Sequence, residues 1–184
     1  MKCTACGQGD LSPCLIDGLF RAHNCSNCGG YWILVEDFVA WKENHPNFQF
    51  AVDAQLSEIA NDSKKAMLCP ITGTLMQKYK ISANCEHKVD YSPSVGGLWL
   101  DKGEWQLLKS EGIAGALNSL VTQTWQKKIR DQQAQSRFVT LYEEKFGKAT
   151  YQKVKEFRQW LDQQPQKADL LAYLCAHDPY SAEK

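Results

Sequence analysis

The chain has 184 residues, which is enough for one domain of ordinary size or for two to three small ones. Its 21 basic and 21 acidic side chains balance, which argues against a protein that binds polyanions by total charge alone. No run of about 18 apolar residues occurs, which argues against a membrane-spanning helix.

Two Cys-x2-Cys pairs near the start form the first motif, Cys3 with Cys6 and Cys25 with Cys28. Two residues between cysteines let one tight turn deliver both sulfurs, and four thiolates suit the tetrahedral shell of Zn²⁺. The pattern predicts a zinc ribbon with these four cysteines as metal ligands. Because the protein supplies all four, no coordination position stays open, which is typical of structural and not of hydrolytic sites.

The surroundings of the cysteine pairs favour a metal over disulfides. Met1 and Lys2 lead directly into the first pair without an apolar leader, so we expect a cytoplasmic protein. A reducing cytosol favours thiolates on a metal, and a redox pair would need a strand-to-helix setting that neither pair has. We therefore expect one Zn²⁺ per chain.

The elements that follow are short. Asp17-Gly18 between apolar residues predicts a β-hairpin between the two cysteine pairs, and Tyr31-Trp32-Ile33 predicts the next strand. Residues 36–44 begin with acids and carry spaced apolar side chains, which predicts a short helix that ends at His45-Pro46. A connector with one helix near residues 53–60 is expected next.

The second half of the chain repeats the first. At an offset of 67, the run Asn27–Ile33 aligns with Ser94–Leu100, and Cys69 matches Cys3 at an offset one shorter. The four ligand positions now read Cys69, Thr72, Ser92 and Val95. One thiol cannot hold a closed zinc site, so this degenerate copy is predicted to be metal-free and held by apolar packing. The alternative is a second metal site built from Cys69, Cys85 and His87.

The segment from Val89 to Glu104 resembles the signature of bacterial proteins with a transcription-factor-IIB-like zinc ribbon. In that signature, paired cysteines precede Gly-Gly-x-Trp-Leu-Asp-x-Gly-Glu. The first copy here keeps the cysteines and lacks the Asp-x-Gly-Glu tail, and the second keeps the tail and lacks the cysteines. The resemblance implies zinc binding for the four N-terminal cysteines only and transfers no reaction. Residues 141–180 also look like the helical extension of some such proteins.

Asp101 and Glu104 are two carboxylates at close spacing, which is compatible with general acid and base catalysis. A structural role is favoured, with Asp101 as the N-cap of a helix and Glu104 at its third position, as in a capping box.

Helical apolar stripes fill the rest of the chain. One runs from Ile113 to Trp125, a second from Phe138 to Phe146 with Gly147 as C-cap, and others follow from Tyr151 and after Pro165. We interpret these stripes as a helical core.

The predicted fold class is α+β, with two tandem small β zinc-ribbon modules followed by a helical C-terminal region of three to four helices. The predicted segments are a zinc ribbon over residues 1–46, a connector over 47–66, the degenerate ribbon over 67–111 and a helical region over 112–184.

The favoured function is a non-enzymatic adaptor that binds a protein partner. Tyr31, Trp32 and Trp41 are candidate exposed anchors, because a ribbon has little interior in which to bury aromatic rings. The alternative is that all three pack against the helical region.

Two other functions are considered. Residues 118–184 hold eleven basic and eight acidic side chains, so nucleic acid would bind there, through Lys127, Lys128, Arg130 and Arg137. The weakest alternative is a thiol-dependent enzyme that uses Cys14, Cys69, Cys85 or Cys175.

Overall fold

The computed structural model describes residues 1–51 and 65–177, and a six-stranded antiparallel sheet is its central element. The strands follow the spatial order β1-β2-β3-β6-β5-β4, so the chain forms one three-stranded half and then the other. The strands are β1 Leu11–Ile16, β2 Phe20–Cys25, β3 Tyr31–Leu34, β4 Gln77–Lys80, β5 Lys88–Ser92 and β6 Gly97–Leu100.

Helices make up most of the remainder, and together with the sheet they confirm the α+β class. The predicted helix near residues 53–60 lies outside the described residues. No helix among the described residues is long and apolar enough to cross a membrane. The helices are α1 Val35–Asn44, α2 Glu104–Ser110, a 3-10 turn Ala114–Ala116, α3 Leu117–Leu120, α4 Gln123–Phe146, α5 Lys148–Asp162 and α6 Lys167–Cys175.

The β1–β2 hairpin is closed at Asp17-Gly18, as predicted. Both residues have positive φ, 48° and 72°, and the Leu19 N–H donates to the Ile16 carbonyl at 2.9 Å. Such a turn follows the right-handed twist of the strands, and Asp and Gly tolerate the left-handed backbone that it requires.

The two halves of the sheet meet where β3 pairs with β6. Trp32 lies opposite Trp99 in this ladder, and each indole packs over a glycine of the other half, Gly97 and Gly30 respectively. Trp32 is 0% exposed, so the prediction of an exposed anchor is wrong for this residue. A ribbon alone could not bury the ring, but two sheet halves packed side by side can.

The other two candidate anchors are half-buried. Trp41 packs against the rings of Phe20, Phe48 and Phe50, and both Trp41 and Tyr31 flank the main apolar core. This core lies between the sheet and helices α1 to α3. Its largest fully buried members include Ile16, Ile33, Phe38, Trp105, Leu108, Leu117 and Leu120.

The start of α2 differs from the predicted capping box. The helix begins at Glu104 after Gly103, which has a φ of 87°. The Glu104 carboxylate accepts the Asp101 N–H at 2.8 Å, as in half of a capping box. The Asp101 carboxylate instead accepts the indole N–H of Trp99 at 2.8 Å, so Asp101 is not the N-cap.

The predicted continuous helix from Ile113 to Trp125 is broken. α3 ends at Leu120, and α4 begins at Gln123. The Thr122 hydroxyl accepts the Trp125 N–H at 3.2 Å, which is the bond of a threonine N-cap, so a new helix starts here despite the continuous apolar stripe.

The chain forms two compact units, Met1–Gln133 and Ala134–Lys184. The second unit holds the end of α4 together with α5 and α6, and Gly147 ends α4 with a φ of 78°. Among residues 134–177, Leu161 alone is buried. The prediction of a helical core is therefore wrong for the stripes of this unit, where side chains such as Phe138, Leu141 and Trp160 are exposed. It is confirmed for the first stripe, because Ile113, Leu117 and Leu120 are buried in the main core.

Candidate metal centre

The sulfurs of Cys3, Cys6, Cys25 and Cys28 all lie within 4.8 Å of one another. Cys3 Sγ is 3.7 Å from Cys28 Sγ, and Cys6 Sγ is 3.7 Å from Cys25 Sγ. A tetrahedral ion with Zn–S bonds of about 2.3 Å places its sulfurs about 3.8 Å apart. The spacing and the donor set therefore fit Zn²⁺.

Backbone hydrogen bonds shape both cysteine turns in the same way. The Gly7 N–H donates to the Cys3 carbonyl at 3.0 Å, and the Gly29 N–H donates to the Cys25 carbonyl at 2.8 Å. Both glycines have positive φ, 68° and 73°. Each turn thus directs its two sulfurs to one side, and the register of the β1–β2 hairpin brings the two turns together.

The sulfurs are packed closely by the chain. The Gly9 N–H donates to Cys6 Sγ at 3.3 Å, and a Cβ on Gly9 would lie only 2.4 Å from Cys25 Sγ. Cys3 and Cys25 are buried, and Trp32 and Trp99 belong to the same apolar cluster. The site is therefore closed by protein.

The local environment lowers the pKa of one of these thiols and raises the pKa of two others. The backbone N–H groups of Gln8 and Gly9 lower the pKa of Cys6 to about 6. Burial raises the pKa of Cys3 and of Cys28. A buried thiol gives up its proton when a cation compensates the thiolate, and Zn²⁺ between the four sulfurs would supply that charge.

The Cys69 turn has the same backbone bonds. The Gly73 N–H donates to the Cys69 carbonyl at 2.9 Å, and Gly73 has a φ of 68°. Across residues 1–51 and 65–177, the four N-terminal cysteines are the one group of His, Cys, Asp and Glu side chains placed to share an ion. Cys69, Cys85 and His87 are not brought together in such a group.

A hydroxyl cluster surrounds Cys69, and the sequence reasoning missed it. Thr72 Oγ1 lies 2.8 Å from Thr74 Oγ1 and 3.3 Å from Ser94 Oγ, and Ser92 Oγ lies 3.0 Å from Ser94 Oγ. The sequence predicts apolar packing here, and Val95 does flank the apolar cluster. The replacement of two ligand positions by Thr and Ser was the available signal for polar contacts.

The candidate nucleic-acid residues Lys127, Lys128 and Arg130 are exposed on α4, as is Arg137 in the second unit. The same stretch of α4 is anchored by Gln126, which the sequence reasoning did not single out. Its amide donates to the carbonyls of Lys80 and Leu120 at 2.8 and 3.0 Å, and its oxygen accepts the Lys80 N–H at 3.1 Å.

The remaining thiols have different environments. Burial raises the pKa of Cys14 and of Cys85. Burial also works to raise the pKa of Cys69, but hydrogen bonds from Ser92 and Thr72 outweigh it and lower the pKa. Cys69 is itself buried, and Cys175 is exposed.

Residues 2–44 match the family model described as transcription factor zinc-finger, the zinc ribbon of the transcription-factor-IIB type. The match covers the hairpin, α1 and all four cysteines, and it supports one Zn²⁺ site. It does not extend to residues 67–111 or to the helical region, so the duplication and the extension stay interpretations. No curated protein and no solved structure matches the chain at a significant level.

Proposed function

We propose that the protein is a non-enzymatic adaptor, in which a structural Zn²⁺ stabilises a scaffold that binds a protein partner. The observation that carries the proposal is an exposed apolar patch on the Cys69 turn, formed by Leu68, Ile71 and Leu75. These side chains are 49%, 52% and 63% exposed.

The patch lies on backbone that is hydrogen-bonded across the turn, with the Met76 N–H donating to the Met67 carbonyl at 2.9 Å. Leu68 and Leu75 face each other in a β-bridge, and the neighbouring Met67 and Met76 are buried. Because side chains alternate along extended chain, burial of the methionines directs both leucines outward. The equivalent bridge in the first half joins Lys2 and Asp10, an exposed ion pair at 3.2 Å. A grouped apolar surface in place of ions is typical of an interaction site.

The zinc site supports the non-enzymatic part of the proposal. A metal with four thiolate ligands from the protein lacks the open position that metal catalysis uses. Zn²⁺ there would serve folding, because a hairpin and one short helix have little core of their own.

Affinity capture with the tagged chain tests the adaptor function. Nuclease-treated extracts of the source cells are passed over the wild type, Leu75→Asp and the control Leu15→Ser, at two salt concentrations. We expect a defined protein to be retained by the wild type and the control and to be lost with Leu75→Asp. Retention that is equal on all three chains, or material that nuclease removes, would argue against the proposal.

Nucleic-acid binding is the second candidate, and the exposure of Lys127, Lys128 and Arg130 on one stretch of α4 favours it. Three phosphate contacts would give a slope of about −2 to −3 in a plot of log affinity against log salt. Fluorescence anisotropy with single-stranded and duplex oligonucleotides measures this slope. Binding that is absent or independent of salt would dismiss this candidate.

A thiol-dependent enzyme is the weakest candidate. Its best-activated thiol is Cys69, which is buried. If Cys14, Cys69, Cys85 and Cys175 all react with a thiol reagent no faster than free cysteine, this candidate is excluded.

A further inference from the structure

A groove in the second unit is lined by aromatic rings from α4 and α5. Phe138, Tyr142 and Phe146 follow one another along α4, with ring centroids 4.5 and 5.4 Å apart. Tyr151 of α5 lies nearly parallel to Tyr142, with centroids 6.4 Å apart. Val154 continues the lining. The groove thus has apolar walls that belong to residues 138–158 alone.

Two cations complete the lining, Lys155 and Arg158. Among the described residues neither forms an ion pair. Arg158 is near enough to Asp162 to contribute to its lowered pKa, but that carboxylate is bound by Lys167 Nζ at 2.6 Å. The groove therefore has an apolar floor and a positively charged edge, and the two positive charges are available to bind an acidic ligand.

The size of the groove indicates what kind of ligand fits. Its volume is about 230 Å³, below the roughly 300–1,000 Å³ of small-molecule sites. The rings also pack against one another, which leaves few free faces for the stacking of successive bases. An apolar side chain of a protein segment suits the space, and a neighbouring carboxylate suits the cations.

We propose that this groove binds a protein segment that places an apolar side chain against the aromatic lining and an Asp or Glu beside Lys155 and Arg158. The inference rests on the proposed adaptor function and gives the adaptor a second surface, separate from the patch at Leu68, Ile71 and Leu75. An adaptor needs two such surfaces to join two partners.

The probe is a library of random 12-residue peptides, selected for binding to the full zinc-loaded chain. Enriched peptides are then synthesised and their affinities measured by fluorescence anisotropy. The test variants are Lys155→Glu with Arg158→Glu and, separately, Val154→Asp. The matched control is Lys127→Glu with Lys128→Glu, which reverses two exposed charges elsewhere on α4. Circular dichroism checks that each variant keeps its helices.

We expect the enriched peptides to combine an apolar residue with a nearby Asp or Glu. Charge reversal in the groove should weaken binding roughly tenfold or more, and replacement of the peptide acid by Lys should restore it. The control should stay within about twofold of the wild type, and so should Leu75→Asp. The Leu75→Asp result separates the two surfaces. If this variant loses the captured partner but keeps its affinity for the peptides, the patch and the groove bind independently, and a failure of one proposal does not imply a failure of the other.

Four outcomes would overturn the inference. The first two are a selection that enriches no peptide and peptide affinities that charge reversal leaves unchanged. The third is that a 20-nucleotide single strand binds at the groove in place of peptides. The fourth is that the chain self-associates and that Val154→Asp converts it to a monomer. The last would assign the groove to a second copy.

Discussion

Gly30 and Gly97 show how single residues determine the centre of the sheet. A Cβ on Gly97 would lie 2.0 Å from the ring atoms Cζ2 and Cη2 of Trp32, and a Cβ on Gly30 would lie 2.2 Å from Cζ2 of Trp99. Both indoles are fully buried, so neither has room to move aside. The absence of a side chain at these two positions is what lets the halves of the sheet join.

Gly97→Ala is therefore expected to lower the free energy of unfolding by about 1–3 kcal/mol, the usual cost of overpacking a core. Urea unfolding followed by tryptophan fluorescence measures the change. Gly115→Ala is the control, because its Cβ would approach nothing closer than Phe50 at 3.5 Å. Equal stabilities of Gly97→Ala and the wild type would contradict the packing described.

At the scale of elements, Asp17 joins the hairpin turn to α2. Its Oδ2 accepts the Trp105 indole N–H at 2.7 Å and the Lys109 ammonium at 2.8 Å. Burial works to raise the pKa of Asp17, but these two bonds outweigh it and lower the pKa below the ordinary aspartate value. The turn is thus a tertiary contact as well as a link between strands.

Asp17→Asn tests this link, since asparagine tolerates the positive φ and keeps an acceptor for Trp105. A lowered pKa in the folded state stabilises the protein above the unfolded pKa of about 3.9, and the effect is lost as pH falls through the folded pKa. At pH 6 the free energy of unfolding of the wild type should be higher than that of the variant by less than about 1 kcal/mol. The difference is small because the Asp17 side chain is 39% exposed and solvent screens its ion pair.

That difference should shrink when the pH is lowered below about 3.9, as denaturant unfolding at several pH values would measure. Glu86→Gln is the control, because its side chain is exposed and its ion pair with Lys80 lies at the surface. A difference between Asp17→Asn and wild type that grows toward low pH would show the opposite sign and refute the argument.

The elements also show how far sequence reasoning reaches. The cysteine turns, the Asp17-Gly18 hairpin and α1 depend on neighbouring residues, and the local pattern predicts them. The burial of Trp32 depends on pairing with β6, more than 60 positions along the chain, which no local pattern encodes. An apolar helical stripe such as Phe138 to Phe146 shows that one face is hydrophobic, but not whether the chain itself covers that face.

At the scale of the whole sheet, the two halves are closed by different chemistry. Four thiolates hold the end of the β1–β2 hairpin, whereas hydroxyl contacts among Thr72, Thr74, Ser92 and Ser94 close the Cys69 turn. Only the first kind of closure depends on a metal. The two halves of the sheet share the β3–β6 ladder. Loss of the metal should therefore destabilise both halves, the first more than the second.

Removal of zinc with a chelator should therefore accelerate amide hydrogen exchange in β1 and β2 by about tenfold or more, with a smaller effect in β4 and β5. Exchange followed by mass spectrometry of peptic fragments compares the four strands directly. Equal acceleration in both hairpins would mean that the Cys69 turn also depends on the metal.

One closed site of four thiolates is expected to bind Zn²⁺ and to stabilise the scaffold, and inductively coupled plasma mass spectrometry measures the zinc content of the chain. The wild-type chain, purified without added metal, should contain one Zn²⁺, and Cys25→Ser should contain none and lose the folding of the N-terminal module. Two tightly bound zinc ions per chain, or full zinc retention by Cys25→Ser, would contradict it.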